Sequence, residues 1–190
     1  MATSGPAVEG AAEPLEVSAL RPERTTVSRM IATRFVTDRL AMLPLRVEYS
    51  VPMAAVLADP ELYRFTGGEP PTAEALSERY RRQVAGPGRP GESWLNWVIS
   101  VTQYDELVGY VQATVIGDEA EIAWVLGTAW QGQGYAKEAA VGMVGWLEAH
   151  GAARIIAHVH PDHTASAAVA AAAGLRRTDQ VDDGELLWVK

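Results

Sequence analysis

Apolar residues recur along this chain with two different periods, which separate strands from helices. Alternating or continuous apolar runs predict strands at 34–45, 94–102, 107–116, 120–126 and 154–160, with a final pair at 175–180 and 185–189. Apolar residues at helical spacing predict helices at 49–57, 72–84, 134–150 and 164–173. Thr72 is suited to cap the second helix, because its hydroxyl can accept a bond from a free backbone N–H.

The order of these elements indicates the fold class. The three strands between 94 and 126 follow one another after short turns, which predicts an antiparallel meander. The helix at 134–150 separates two strands, so its crossover predicts one parallel pair. We therefore expect an α+β fold with a mixed, mostly antiparallel twisted sheet flanked by helices, and a central β-α-β unit.

The sequence predicts a tail followed by one domain. Residues 1–32 are rich in Ala, Pro, Ser, Glu and Thr, carry no aromatic residue and show no sustained apolar period. Such a segment cannot offset the entropy of ordering by burial, so we expect a flexible tail. Leu15, Val17 and Leu20 leave a packed helix within it as an alternative. Residues 33–190 have the length of a single domain.

Composition excludes several classes of protein. The chain has no cysteine, which excludes disulfides, iron–sulfur clusters and a cysteine nucleophile. Its net charge of −8 argues against nucleic acid as a partner and is compatible with a cationic ligand, although acidic surfaces most often serve solubility. It has no apolar run near the length of about 20 residues that spans a membrane, and no signal-like start. We expect a cytoplasmic protein without membrane partners, and a homodimer is left open.

The segment 131–136 carries the clearest chemical signal. It follows a predicted strand and precedes a helix, and Gly132 and Gly134 allow a ligand to approach the backbone closely. The N–H groups that have no partner at the helix N-terminus, together with the helix dipole, would bind a phosphate. The dinucleotide fingerprint fails because Lys137 stands where its third glycine belongs, and the nucleotide P-loop motif is absent. The alternative is a plain tight turn.

The surrounding residues resemble a known family. Gln131-x-x-Gly134-x-Ala136 resembles the acetyl-CoA pyrophosphate loop of the GNAT acetyltransferases, in particular the RimJ/RimL-like branch. Three flanking stretches are similar to the first strand, the fourth strand and the last helix of that branch: 37–42, 121–126 and 160–175. The resemblance implies an enzyme that uses acetyl-CoA as co-substrate and acetylates a primary amine. The acceptor would be a protein N-terminus or a small molecule.

The resemblance also implies roles for individual residues. Glu121 would be the general base that takes the amine proton, and Ser166 would stabilise the leaving thiolate or bind the cofactor. A backbone N–H near Val125 would stabilise the oxyanion. The residues expected to bind acetyl-CoA are Val125, Leu126, Gly127, Gln131, Gly132, Gln133, Gly134, Tyr135, Ala136, His163 and Ser166. The alternatives are that Glu121 is a solvated strand residue and Ser166 a small residue of an Ala-rich helix.

The sequence departs from the family at three positions. His163 replaces the usual Asn, Leu43 replaces an Arg, and Ala170 stands where many members have a tyrosine acid. These departures keep open a module that binds acetyl-CoA without catalysis.

Two further expectations concern the acceptor and a metal. The two early helices and the loop 64–71, with Tyr63, Phe65 and Glu69, would form the acceptor cleft, and the negative net charge suits a polyamine or an aminoglycoside. His158 and His160 resemble a zinc pair, but the sequence offers them no second-shell carboxylate, so we expect no metal.

Overall fold

The structure, a computed structural model, describes residues 29–190. Its strands are β1 (Phe35–Val36), β2 (Leu40–Pro44), β3 (Glu92–Val101), β4 (Glu106–Ile116), β5 (Glu119–Leu126), β6 (Arg154–Val159), β7 (Arg176–Asp182) and β8 (Glu185–Val189). Its α-helices are α1 (Ser50–Val56), α2 (Ala73–Ala85), α3 (Tyr135–Ala149) and α4 (Thr164–Ala172). No helix in the described part of the chain is long and apolar enough to cross a membrane.

All eight strands form one sheet in the order β1-β2-β3-β4-β5-β6-β8-β7. Every neighbouring pair is antiparallel except β5 and β6, which flank α3 and run parallel. The predicted α+β class, with its β-α-β unit, is therefore confirmed.

The single strand predicted at 34–45 is wrong. The chain turns back after Val36, and β1 pairs with β2 so that Phe35 faces Met42. The turn is closed by Thr37, whose backbone N–H donates to the carbonyl of Leu40 at 2.9 Å. The hydroxyl of Thr37 in turn accepts a hydrogen bond from the backbone N–H of Leu40 at 3.2 Å.

Two apolar clusters cover the two faces of the sheet. Successive residues of a strand point to opposite faces, and β3 divides accordingly: Trp97 and Ile99 lie in the cluster with α3 and α4, and Val98 lies in the cluster with α1 and α2. We call these the α3 face and the α2 face. The predicted Thr72 cap is present, since its hydroxyl accepts from Ala75 N–H at 3.2 Å.

Contacts to the core begin just before the predicted boundary at Thr33. The backbone N–H of Met30 donates to the Ser93 hydroxyl at 3.0 Å. The indole of Trp97 donates to the carbonyl of Thr33 at 2.8 Å, and the indole of Trp146 donates to the Thr33 hydroxyl at 3.2 Å. Most of the predicted tail, residues 1–28, lies outside the described residues.

Candidate active site

The parallel strands β5 and β6 separate after a short paired stretch. Three residue pairs join them, of which Glu121 with Ile156 is the last. Beyond this point β5 stays paired with β4 as far as Leu126, and β6 stays paired with β8 as far as Val159. The two strands thus open a V-shaped gap in the middle of the sheet, which we call the central gap.

The register of β5 decides which backbone groups face the central gap. Gly127 N–H donates to the carbonyl of Val108 in β4 at 2.9 Å. Because backbone groups alternate sides along a strand, those of Val125 also face β4, and those of Trp124 and Leu126 face the gap. Of the β5 backbone groups expected to bind acetyl-CoA, those of Leu126 therefore face the gap, whereas the N–H groups of Val125 and Gly127 face β4.

Two ionisable side chains meet where the gap begins. Glu121 Oε1 lies 3.1 Å from His158 Nδ1, and the Glu121 side chain is 55% exposed, so that a substrate can reach it. Both side chains project from the α2 face. Ile122 follows Glu121 and Ala157 precedes His158, both neighbours lie in the α3-face cluster, and successive residues of a strand point to opposite faces. The sequence predicted Glu121 as a functional residue but did not predict its contact with His158.

The glycine-containing loop lies at the far end of β5. After a 3₁₀ turn at Thr128–Trp130, the chain reaches Gly134, which has a φ of +83° and stands directly before α3 without a side-chain cap. The backbone N–H groups of the first helical turn therefore have no intrahelical acceptor. A Cβ added at Gly132 would meet no atom within 4 Å, so the space above the loop is open. The loop has the form of an anion cradle.

The predicted loop residue Gln131 has a second role. Its side-chain amide donates to the carbonyl of Leu126 at 3.1 Å. This bond joins the end of β5 to the loop and still leaves one amide hydrogen for a ligand.

Arg39, which the sequence analysis did not single out, braces the same loop. Its guanidinium donates to Glu138 Oε2 at 2.6 Å and to the carbonyl of Gln133 at 3.0 Å, and it lies 4.7 Å from the ring centre of Tyr135. Burial alone would raise the pKa of Glu138, but hydrogen bonds from Thr37 and Arg39 outweigh it and hold that pKa below its ordinary value. The first turn of α3 is thus fixed to the turn between β1 and β2.

The predicted residues Ser166 and His163 lie together at the start of α4. The indole N–H of Trp124 donates to the Ser166 hydroxyl at 3.0 Å, across the central gap from β5 to α4. His163 caps α4, since its Nδ1 accepts from Ser166 N–H at 3.4 Å. Its imidazole thus fills the capping position that Asn usually takes.

The predicted acceptor loop reaches this second group of residues. The ring of Phe65 stacks on His163, with centroids 4.3 Å apart, and lies 5.2 Å from the ring of His160. Tyr63 is tied to the end of α1, because its hydroxyl donates to the carbonyl of Leu57 at 3.0 Å. The exposed Glu69 lies in the same loop. Among residues 29–190, His158 and His160 are not joined by a third side chain that would complete a metal site.

Comparison with known proteins identifies this arrangement. The family model described as an acetyltransferase (GNAT) domain matches residues 39–176. No curated protein sequence matches the chain at a significant level.

Similar folds occur among solved structures. One is a GNAT-family acetyltransferase from Bacillus anthracis, at 19% identity and a TM-score of 0.69, with 83% of this chain and 98% of that one covered. Another is RimL, a ribosomal L7/L12 α-N-protein acetyltransferase in complex with coenzyme A. Its sequence identity is 14% and its TM-score 0.68, with 82% of this chain and 96% of that one covered. A third is the microcin C7 self-immunity acetyltransferase MccE in complex with acetyl-CoA and AMP. Its sequence identity is 14% and its TM-score 0.66, with 81% of this chain and 93% of that one covered. With its family model matched over most of its length, and with the gap and loop described above, this chain belongs to the GNAT acetyltransferase family.

Proposed function

We propose that this acetyltransferase moves the acetyl group of acetyl-CoA to a primary amine at the start of the central gap, in the manner of the RimL-like branch. The observation that carries the proposal is the position of the Glu121–His158 pair, where β5 and β6 separate. The stretch 121–126 and the RimL structure among the similar folds support the branch.

The chain offers groups for each part of acetyl-CoA. The N–H groups that open α3 suit the pyrophosphate, with Gly132 and Gly134 leaving room for it. The backbone groups of Trp124 and Leu126 that face the gap suit the amides of the pantetheine arm, and the N–H of Trp124 suits the oxyanion.

The reaction removes one proton from the amine and releases a thiolate that has to be stabilised. The free amine attacks the thioester carbonyl, a C–N bond forms and the C–S bond breaks. When His158 donates its Nδ1 proton to Glu121, its Nε2 keeps a lone pair, so the pair can accept the amine proton. The Ser166 hydroxyl can donate a hydrogen bond to the departing sulfur, because it acts only as acceptor toward Trp124.

The loop assignment is tested by Gly134→Val against a matched glycine. Gly117, in the turn between β4 and β5, also has a positive φ, of +64°. A Cβ there would meet no atom within 4 Å, and one at Gly134 would lie 3.5 Å from Arg39 Nη2, an ordinary contact distance. Both substitutions strain the backbone, but only Gly134→Val should weaken acetyl-CoA binding, by at least about tenfold, in titration calorimetry. Equal affinity in the two variants would mean that the loop does not hold the cofactor.

The proton pathway is tested by the pH–rate profile of Glu121→Gln, measured with an amine that the wild-type enzyme acetylates. Activity should fall by roughly 100-fold near neutral pH and recover as the pH approaches the pKa of the amine, because solvent then supplies the free amine. His158→Gln should give the same profile. Glu119→Gln is the control, since Glu119 lies on the same strand and pairs with Arg154 outside the gap. An equal loss of activity at every pH would show that Glu121 positions the substrate and does not take its proton. Binding of acetyl-CoA by the wild type without turnover of any amine would indicate a non-catalytic module.

A further inference from the structure

A small cavity with both apolar and polar walls lies on the α2 face, beneath helix α2. It has a volume of about 40 Å³. Since a water molecule needs roughly 10–15 Å³ by this measure, it holds a group of only a few atoms. Its polar lining comes from α2, β3 and β4: Arg79, Tyr80, Gln83, Asn96, Tyr110 and Gln112. We call it the α2 cavity.

Two polar atoms at the α2 cavity lack hydrogen-bond partners among the described residues. Tyr80 is only 4% exposed, and its buried hydroxyl makes no hydrogen bond. The Oε1 of Gln83 is likewise unpartnered, although its Nε2 donates to Asn96 Oδ1 at 3.2 Å. A buried hydroxyl without a partner is unfavourable in the free protein, which points to a ligand group that completes it.

The α2 cavity has the opposite charge from the protein as a whole. Arg79 is the only charged side chain that lines it. Within residues 29–190 Arg79 has no carboxylate partner, whereas its neighbour Arg82 pairs with Glu78 at 3.4 Å. Burial, and then the nearby Tyr110, raise the pKa of Tyr80, so its hydroxyl stays protonated as a donor at neutral pH. A guanidinium and a phenol that both donate suit a carboxylate.

Strand register brings the α2 cavity close to the proposed reaction centre. On β4, Thr114 faces Glu121, and Gln112 of the cavity faces Ala123. Gln112 and Thr114 are two residues apart, which corresponds to about 7 Å along the strand on the same face of the sheet. The wall of the cavity at Gln112 is therefore one same-face step along β4 from the residue that pairs with Glu121.

We propose that the acceptor is a primary amine that also carries a carboxylate, which Arg79 and Tyr80 bind in the α2 cavity while the amine lies at Glu121. This proposal rests on the acetyl transfer proposed above and names its substrate class. It favours an amino-acid-like acceptor over the polyamine or aminoglycoside that the net charge suggests.

The test compares three amines of equal chain length. The probes are 5-aminopentanoate, pentylamine and 1,5-diaminopentane, which have an anionic, a neutral and a cationic end. We expect kcat/KM to be at least about tenfold higher for 5-aminopentanoate, as for one charge-assisted hydrogen bond. Because the chain has no cysteine, the thiol released from acetyl-CoA is measured without background from the protein. Equal or better use of either other amine would overturn the proposal.

Variants assign the preference to the α2 cavity. Arg79→Gln and Tyr80→Phe should each lower the ratio of kcat/KM for 5-aminopentanoate over pentylamine by roughly tenfold. Arg81→Gln should leave that ratio unchanged, because Arg81 is exposed on α2 as Arg79 is but does not line the cavity. Tyr80→Phe should not lower the melting temperature, because it removes a buried hydroxyl that has no partner. If Arg81→Gln has the same effect as Arg79→Gln, the preference comes from general surface charge.

A binding measurement separates this proposal from the proposed function. Pentanoate has the carboxylate but no amine, so its binding does not depend on turnover. It should raise the melting temperature of the wild type and of Arg81→Gln, and should fail to raise that of Arg79→Gln. Stabilisation by pentanoate without turnover of any amine would contradict acetyl transfer and keep the carboxylate site. Turnover without any effect of pentanoate or of the α2 variants would contradict only the carboxylate site.

Discussion

Ser166 and Trp124 share one hydrogen bond, and each can be replaced without the other. Ser166→Ala and Trp124→Phe both remove the 3.0 Å bond between them, which should lower the free energy of unfolding by about 1 kcal/mol. Trp124→Phe should lower it further, because the smaller ring also loses packing against the core. Only Ser166→Ala also removes the hydroxyl that faces the departing sulfur in the proposed reaction. We expect it to lower kcat by at least about tenfold with little change in the acetyl-CoA Kd, and we expect Trp124→Phe to retain most of kcat.

The comparison separates chemistry from support. An equal loss of kcat in both variants would show that the hydrogen bond across the gap matters and the hydroxyl does not. A weaker acetyl-CoA Kd in Ser166→Ala, with kcat unchanged, would make Ser166 a cofactor ligand. Thermal unfolding of both variants provides the control for general destabilisation.

At the scale of one element, the start of helix α4 depends on the protonation state of His163. Burial, and then the nearby His160, lower the pKa of His163. The neutral ring can accept the Ser166 N–H, whereas a protonated ring has no acceptor and places a positive charge at a helix N-terminus. The folded protein therefore takes up this proton less readily than the unfolded chain.

This difference predicts how stability depends on pH. The contribution of His163 is complete above the unfolded pKa of about 6.5 and is lost as the pH falls towards the lower pKa of the folded state. His163→Asn keeps a good capping residue without the titration, so its melting temperature should fall less steeply below about pH 6.5 than that of the wild type. Relative to the wild type, His163→Ala should be destabilised by about 1 kcal/mol above this pH and by less as the pH falls below it, because the wild type then loses the same cap. An identical acid slope in wild type and His163→Asn would exclude His163 as its source.

Over the whole molecule, local features were predictable and distant contacts were not. Helix α2 followed from its spacing and its Thr72 cap, and the loop at 131–136 followed from the glycines between a strand and a helix. The break between β1 and β2 was missed because apolar residues continue on both sides of it, and only the bonds between Thr37 and Leu40 reveal the turn.

The predicted site residues have hydrogen-bond partners that no local sequence pattern predicts. Glu121 and His158 are 37 positions apart in the sequence, and Trp124 and Ser166 are 42 apart. Tyr80 lies one helical turn from Leu76 on the buried side of α2, and only the packed structure reveals that its hydroxyl has no partner among the described residues.

The central gap also has a consequence for the protein in concentrated solution. Where β5 and β6 separate, each strand presents an unpaired edge within the sheet instead of at its margin. Such an edge can serve as a template for a strand of another molecule, and residues 122–126 of β5 contain none of the lysine or proline that commonly prevents this. A pantetheine arm in the gap would occupy the same hydrogen-bonding groups. Bound acetyl-CoA would therefore protect the enzyme from self-association and aggregation, quite apart from its part in the reaction.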